Sequence, residues 1–446
     1  PLINIPINVK KGYYDIYIGM KSGSPEFLIR IGNGNPERFL AGGTSMSLYK
    51  SNYAGKYNKE IYWKRALLGD EYNDNIEISQ LQETYNSFQD MGSIFYIKLV
   101  PIEEKNNFVD CQNSYYKKQN LYTNDIILYY EPYSYTLHGI HDGDSMNRIM
   151  LEEFIRLNPA EITCQTVRVG SKCLHNSKFL QKFDKAARTD ENTIIDDPIK
   201  LSLNCDILDE SIKYINDRKN KFGNKILLTA NIGMNRPYLW LPEISEKFTS
   251  DNPKLLVNGY FDYTKLEVQE YALKIIFEII DGYNIDGMFF DYMRSYNNQT
   301  VESLIYILRM TKERLKQKVS KSGKNLELKV RIPSDQIIYY QAMKVCIDNG
   351  YIDGIVPSNI VTSEPLPPVK HYLQLAKGTK TKIYGCIDGW KHTLGSDPRA
   401  GSLELAHSPC DILKYFDHYK KEGVDGIFIY QADQFKANPY INNIFA

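Results

Sequence analysis

The sequence predicts an α/β protein, a (β/α)8 TIM barrel preceded by an all-β sandwich domain. Three observations lead there. Residues 1–121 carry short β-rich runs broken by turn residues, the pattern of packed antiparallel strands. Residues 122–446 alternate apolar runs with helical stretches, the signature of a parallel sheet covered by helices. Eight of those apolar runs end in polar or charged residues, and barrel strands deliver functional side chains to a mouth at their C-terminal ends.

In the first part, strands are expected at 13–19, 26–31, 60–65 and 93–100, the second closed by Gly32-Asn33-Gly34. They suggest a jelly-roll-like sandwich, and the polar stretch 110–120 reads as a linker. Barrel strands are expected at 125–130, 161–167, 225–230, 286–290, 327–332, 354–356, 382–387 and 426–430. Helices fall between them at 144–157, 206–219, 268–280, 301–318, 337–349, 367–377 and 409–422. The last opens with Ser408-Pro409, a cap followed by proline at the first helical position. No glycine-rich phosphate turn follows the first barrel strand, which argues against an open dinucleotide-binding sheet.

Composition narrows the function classes. With 446 residues, 43% hydrophobic and 24% charged, the chain can bury a sizeable core. It has 54 basic and 54 acidic residues and no long run of either sign, so no nucleic-acid footprint is present. No run reaches the ~18 apolar residues of a membrane span. The seven cysteines form no CxxC pair, so neither a disulfide framework nor a zinc site is indicated. Cys164 and Cys386 fall inside expected strands as small core residues. The 35 tyrosines suit sugar-binding surfaces, although the abundance of Asn, Ile and Lys points to coding bias as well. The chain opens Pro1-Leu2-Ile3, without Met or a signal-like segment, as expected of a mature or trimmed form.

The strand ends supply the candidate residues. In order they are Glu131 with the loop His138, His141, Asp142 and Asp144; Arg168; Asn231 and Arg236; Asp291, Tyr292 and Arg294; Arg331, Ser334 and Asp335; Ser358 and Asn359; Asp388 and Trp390; and Tyr430, Gln431 and Asp433. A lone strand-end Asp is often a helix cap, but this many polar ends are hard to place in a purely structural rim. Two carboxyl groups, one protonated and one ionised, are what glycosidic bond cleavage needs. Asp291 is the first candidate, with Arg294 expected to hold it ionised. Asp388 is the best partner by position, Asp433 follows, and Glu131 and Asp142 stay open. His138, His141, Asp142 and Asp144 could bind a cation, but a solvated loop is favoured, and no metal or cofactor is expected. No G-x-S-x-G elbow supports a serine nucleophile.

The run Asp286-Gly287-Met288-Phe289-Phe290-Asp291-Tyr292-Met293-Arg294 resembles the DGI-x-x-D-Y/F-M/I-R block of bacterial glycosyl-hydrolase-like barrel proteins related to the family-10-like glycoside hydrolases. Arg331-Ile332-Pro333-Ser334, the run from Cys346 to Ser358, and Gly423 to Tyr430 resemble that group's later elements, and Phe95 to Pro101 its N-terminal sandwich. The resemblance implies a carbohydrate-active barrel with Asp291 and Arg294 in matching positions, and slightly favours a secreted or periplasmic location. Well-understood barrel glycosidases carry Glu where this chain has Asp291 and Asp388. Retention or inversion depends on a separation of about 5–5.5 Å or about 6.5–9.5 Å, which sequence does not supply.

The expected function is hydrolysis of a polysaccharide or oligosaccharide. Asp291 would serve as nucleophile or base and Asp388 or Asp433 as acid. Arg294, Arg236 and Arg331 would grip substrate, a hint of an acidic glycan. Tyr292, Trp390 and Tyr430 would stack on rings, with Asn231, Gln431, Asn359, His141 and Asp142 as further contacts. The rival is a non-catalytic carbohydrate-binding barrel. A metal-dependent lyase or deacetylase built on the 138–144 loop is the third possibility.

Overall fold

The structure is a computed structural model describing residues 2–21, 27–34, 36–39, 58–80, 94–102, 125–132, 142–183, 196–235, 237, 244–293, 298–359, 366–389, 404–405, 407 and 409–432. Seven strands come first: β1 (Leu2–Pro6), β2 (Gly12–Lys21), β3 (Phe27–Ile31), β4 (Glu37–Phe39), β5 (Asn58–Leu68), β6 (Asn75–Gln80) and β7 (Ile94–Pro101). They build two sheets, one ordered β1-β6-β3-β4 and the other containing β5-β2-β7. Side chains alternate across a strand, so Ile16 and Ile18 share a face, as do Phe27, Ile29 and Ile31, and Ile76 and Ile78. Those faces meet, with Trp63 and Leu68, in one buried cluster. Burying such a side chain contributes about 1.5–3 kcal/mol each. β1, β4 and β6 were not among the expected strands. β6 nevertheless alternates Ile76 and Ile78 with polar residues, and that signal is in the sequence.

The barrel follows with β8 (Ile126–Tyr130), β9 (Glu161–Arg168), β10 (Leu227–Gly233), a hairpin of β11 (Leu256–Val257) and β12 (Tyr260–Phe261), then β13 (Gly287–Asp291), β14 (Glu327–Pro333), β15 (Gly354–Ser358), β16 (Lys382–Asp388), a short β17 (Glu404–Leu405) and β18 (Gly426–Tyr430). Eight of these close into a ring in chain order, β8-β9-β10-β13-β14-β15-β16-β18, every pair parallel. The expected barrel is thus present. Several strands run one to three residues further at their C-terminal ends than the apolar runs suggest, so Asn231, Asp291, Ser358 and Asp388 lie within strands. β17 joins the edge of the sandwich sheet by pairing with β5.

Helices fill the outer layer. Leu266–Gly282 and Val301–Ser322 are the longest, the second started by the Thr300–Ser303 capping box and stopped by left-handed Gly323. Gly143–Met146, a π-turn at Asn147–Leu151 and Glu152–Arg156 occupy the stretch read as one helix. Asp196–Asn204 is a helix beyond those expected. Ile207–Ile215, Ile337–Asp348, Lys370–Ala376 and Pro409–Glu422 fall where helices were expected.

A repeated Asp-Gly step sets the bottom of the barrel. Asp286, Asp353 and Asp425 each precede a strand-opening glycine. Each carboxylate accepts the backbone N–H of a residue on the preceding strand: Leu228 at 3.0 Å, Leu328 at 2.7 Å and Ile383 at 2.8 Å. The backbone N–H of each Asp returns a bond to the carbonyl of that same residue. The side chain thus extends the ladder by one rung where strands begin. The glycines let strands approach. A Cβ on Gly426 would stand 2.2 Å from the Asp125 carbonyl oxygen, and one on Gly287 would stand 2.4 Å from that of Glu327. Gly426→Ala is therefore expected to cost about 1–3 kcal/mol through forced backbone shifts, measured as a lower urea midpoint at unchanged slope.

Asp286 gives an acid-stability prediction. Burial pushes its carboxyl up, but the Leu228 N–H and the Lys225 and Lys324 ammoniums (2.9 and 2.8 Å) outweigh that, leaving it below the usual range. A depressed folded value stabilises above the unfolded pKa of about 3.9 and is lost as pH falls through the folded value. Asp286→Asn should melt lower at pH 7 by about 1–3 kcal/mol and show a shallower loss of stability in acid. Parallel pH–melting curves for both proteins would refute this.

Candidate active site

Alternation decides which strand-end residues face inward. Ile127, Tyr129, Phe289, Val356, Tyr384, Cys386, Phe428 and Tyr430 form the cluster inside the barrel, distinct from the helix-facing core. Counting by two from these members brings Asp291 and Asp388 to the same interior face at the C-terminal end. Both are almost fully buried. They end the fourth and seventh barrel strands, with β14 and β15 between them.

Asp291 is held on both oxygens. Oδ1 accepts the Met293 backbone N–H at 2.9 Å, and Oδ2 accepts a terminal guanidinium N–H of Arg331 at 3.3 Å. Arg331 Nε donates to Ser358 Oγ at 3.1 Å, and its guanidinium carbon lies 3.7 Å from the Tyr430 ring centre. Burial lowers the affinity of that guanidinium for its proton, but the Asp291 carboxylate, with Cys386, Tyr430 and Tyr129, more than offsets it. Arg331 is charged at every working pH. The cation beside Asp291 among the described residues is therefore Arg331, reached across the β13–β14 register pair. Arg294, expected in that role, lies outside the described residues.

Asp388 is paired in register with Tyr430, and its carbonyl oxygen is 2.8 Å from the His407 Nε2. A third interior carboxylate, Glu131 at the end of β8, forms a buried ion pair with Arg168. Tyr129 stands near both acids. Burial first, then Glu131 and Asp291, push its phenol well above the ordinary range, so it is a neutral hydroxyl. Its ring packs 4.9 Å from that of Tyr430. Cys386 is a buried free thiol raised by burial despite Arg331, which makes it a poor nucleophile.

Other expected contacts fall as follows. Asn231 is interior and fully buried, its Nδ2 3.4 Å from Thr163 Oγ1. Gln431 takes a left-handed φ of 54° and donates from Nε2 to the Tyr430 hydroxyl at 3.1 Å. Asn359 is half-buried and accepts from Ser334 Oγ at 3.2 Å. Asp142 caps the helix at Gly143, accepting the Ser145 N–H at 2.8 Å. Tyr292 requires a correction. It follows Asp291 and so points to the opposite face, buried in the helix-side core 5.7 Å from the Tyr339 ring; no sugar can stack on it there. Asp433, Arg236, Trp390, His138 and His141 lie outside the described residues. Among the described residues no group of three or more His, Cys, Asp or Glu could hold a metal ion. Two steps back from Glu131 finds the inward Tyr129, whereas the bulge at Thr166 breaks that count for the inward Gln165.

Together the fold and the mouth define a (β/α)8-barrel protein with paired charges, carboxylates and tyrosines at the C-terminal ends of its strands. No protein-family model matches the sequence, and no curated protein matches it at a significant level. Among solved structures, similarity is found to a family 18 N-acetylglucosaminidase from Paenibacillus barengoltzii (TM-score 0.40, 9% identity, 72% of this chain and 99% of that one). A maltogenic α-amylase from Thermotoga neapolitana gives a TM-score of 0.37 at 10% identity over 71% of this chain and 69% of that one. The catalytic domain of chitinase B from Arthrobacter TAD20 gives 0.42 at 10% identity, over 73% and 96%. Likeness of this degree says nothing of chemistry, and the resemblance to the family-10-like group gains no support from it.

Proposed function

We propose that the protein is a glycoside hydrolase that cleaves a polysaccharide or oligosaccharide with two carboxylates at the barrel mouth. The observation that carries this is the placement of Asp291 and Asp388 as inward-facing, buried last residues of β13 and β16, with Arg331 ion-paired to Asp291. Asp291, flanked by that guanidinium, acts as nucleophile or as the base that activates water. Asp388 is the acid that protonates the leaving oxygen, with Asp433 the next candidate. Hydrolysis then adds water across the C–O bond, the proton from the acid going to the departing sugar. Tyr430, with the Arg331 guanidinium against its ring, is the aromatic side chain in register with Asp388.

A screen of neutral and acidic glycans with the wild type and Asp388→Asn tests the assignment. Wild-type cleavage with a loss of about 10²-fold or more in the variant is the expected result. Unchanged cleavage in the variant removes Asp388 from the reaction. One observation favours the binding-only alternative: both Asp291 oxygens are already engaged. Glycan binding without cleavage by the wild type would select it.

A further inference from the structure

We infer that the β8–β9–β10 sector of the mouth is a subsite for an uncharged sugar ring, gripped through neighbouring hydroxyls by Gln165, Asn231 and Tyr129. The inference rests on the glycan reading above and deepens it by naming the substrate class.

Among the described residues, four polar atoms of Gln165, Asn231 and Tyr129 have no hydrogen-bond partner: Gln165 Oε1 and Nε2, Asn231 Oδ1 and the Tyr129 hydroxyl. Their residues are fully buried, and they come from three consecutive strands. Each such group left unmade costs about 1–3 kcal/mol, so a fold does not keep four together for its own stability. β9 is bulged here: Asn231 pairs with Gln165 and Ile232 with Val167, leaving Thr166 as the extra residue. The bulge puts Gln165 and Arg168 on one face, where strict alternation would separate them. Both side chains lie against the backbone of Gly233, where a Cβ would stand 2.7 Å from Arg168 Cγ and 3.1 Å from Gln165 Nε2.

Among the described residues, the set has donors and acceptors but no spare positive charge. Arg168 is ion-paired with Glu131, and Arg331 with Asp291. An amide presenting both its oxygen and its nitrogen matches adjacent hydroxyls, each of which donates and accepts. Among the described residues of the mouth, a uronate or sulfate would have to displace a buried carboxylate from Arg168 or Arg331. The geometry therefore favours neutral glycan over the acidic one that the arginine count suggested.

The test is calorimetric binding of neutral hexo-oligosaccharides and of oligogalacturonate to wild type and Gln165→Met, with hydrolysis followed on the same panel. Neutral oligosaccharide should bind, and Gln165→Met should bind it about ten-fold or more weakly, a change of 1.4 kcal/mol or more. Its Tm should equal or exceed that of the wild type, because an unpartnered buried amide has been removed. Unchanged binding in the variant, a lower Tm, no neutral ligand, or binding of uronate alone overturns the subsite. The two readings fail separately. Neutral binding without cleavage removes the hydrolase and keeps the subsite, while cleavage of uronates alone keeps the hydrolase and removes the subsite.

Discussion

Asp291→Asn is expected to lower glycan cleavage by about 10³-fold or more while leaving the barrel folded. The amide is isosteric with the carboxylate but carries one oxygen, so it keeps an acceptor for either the Met293 N–H or the Arg331 guanidinium, not for both. What disappears is the negative charge that either forms the glycosyl–enzyme bond or activates water, and such roles contribute on the order of 10²–10⁴-fold. The check is the rate of reducing-end release, together with the melting temperature of both proteins. Full activity in a folded variant would move the chemistry to Asp388, Glu131 or elsewhere on the rim. A second consequence is visible in stability: Arg331 becomes a buried cation without its counter-charge, so a modest fall in Tm accompanies the loss.

The largest expected stability effect lies at the other end of the barrel. Lys329 is buried inside it, donating to Glu161 Oε2 at 2.7 Å and to Glu327, while Thr229 Oγ1 donates to Glu161 Oε1 at 2.7 Å. Burial lowers the Lys329 value, but Glu161 and Glu327 raise it further, so the net shift is upward. Glu327 is raised by burial and lowered more strongly by Lys329, so its net shift is downward. The signs define a window. The stability that Lys329 contributes is fully present below its unfolded value of about 10.4 and fades as pH rises through the folded one; that of Glu327 is present above about 4.3 and fades as pH falls through its folded value.

Lys329→Met should therefore cost about 3–5 kcal/mol at neutral pH, because it leaves Glu161 buried and uncompensated. Adding Glu161→Gln should restore part of that, since the stranded charge is gone. Urea titrations of the single and double variants measure both. A double variant no more stable than the single one would mean that Lys329 acts through packing and not through charge.

Much of this was legible from the chain alone. Eight apolar runs separated by helical stretches dictate a closed parallel barrel, because strands buried on both faces must be apolar and right-handed crossovers place the helices outside. The abrupt change from Phe290 to Asp291 and from Ile387 to Asp388 marks where strands reach the mouth, since an isolated carboxylate is too costly to bury without a reason.

Which residues meet there was decided by tertiary structure. Tyr292 looked like a partner of Asp291, but adjacent residues on a strand face opposite ways. Arg331, 40 positions later in the chain, became the cation at Asp291 because parallel register sets β14 beside β13. Gln165 and Arg168 share a face only through the bulge at Thr166. Periodicity along one segment fixes the type of element; charge pairs and hydrogen-bond partners depend on register between segments, which local sequence does not encode.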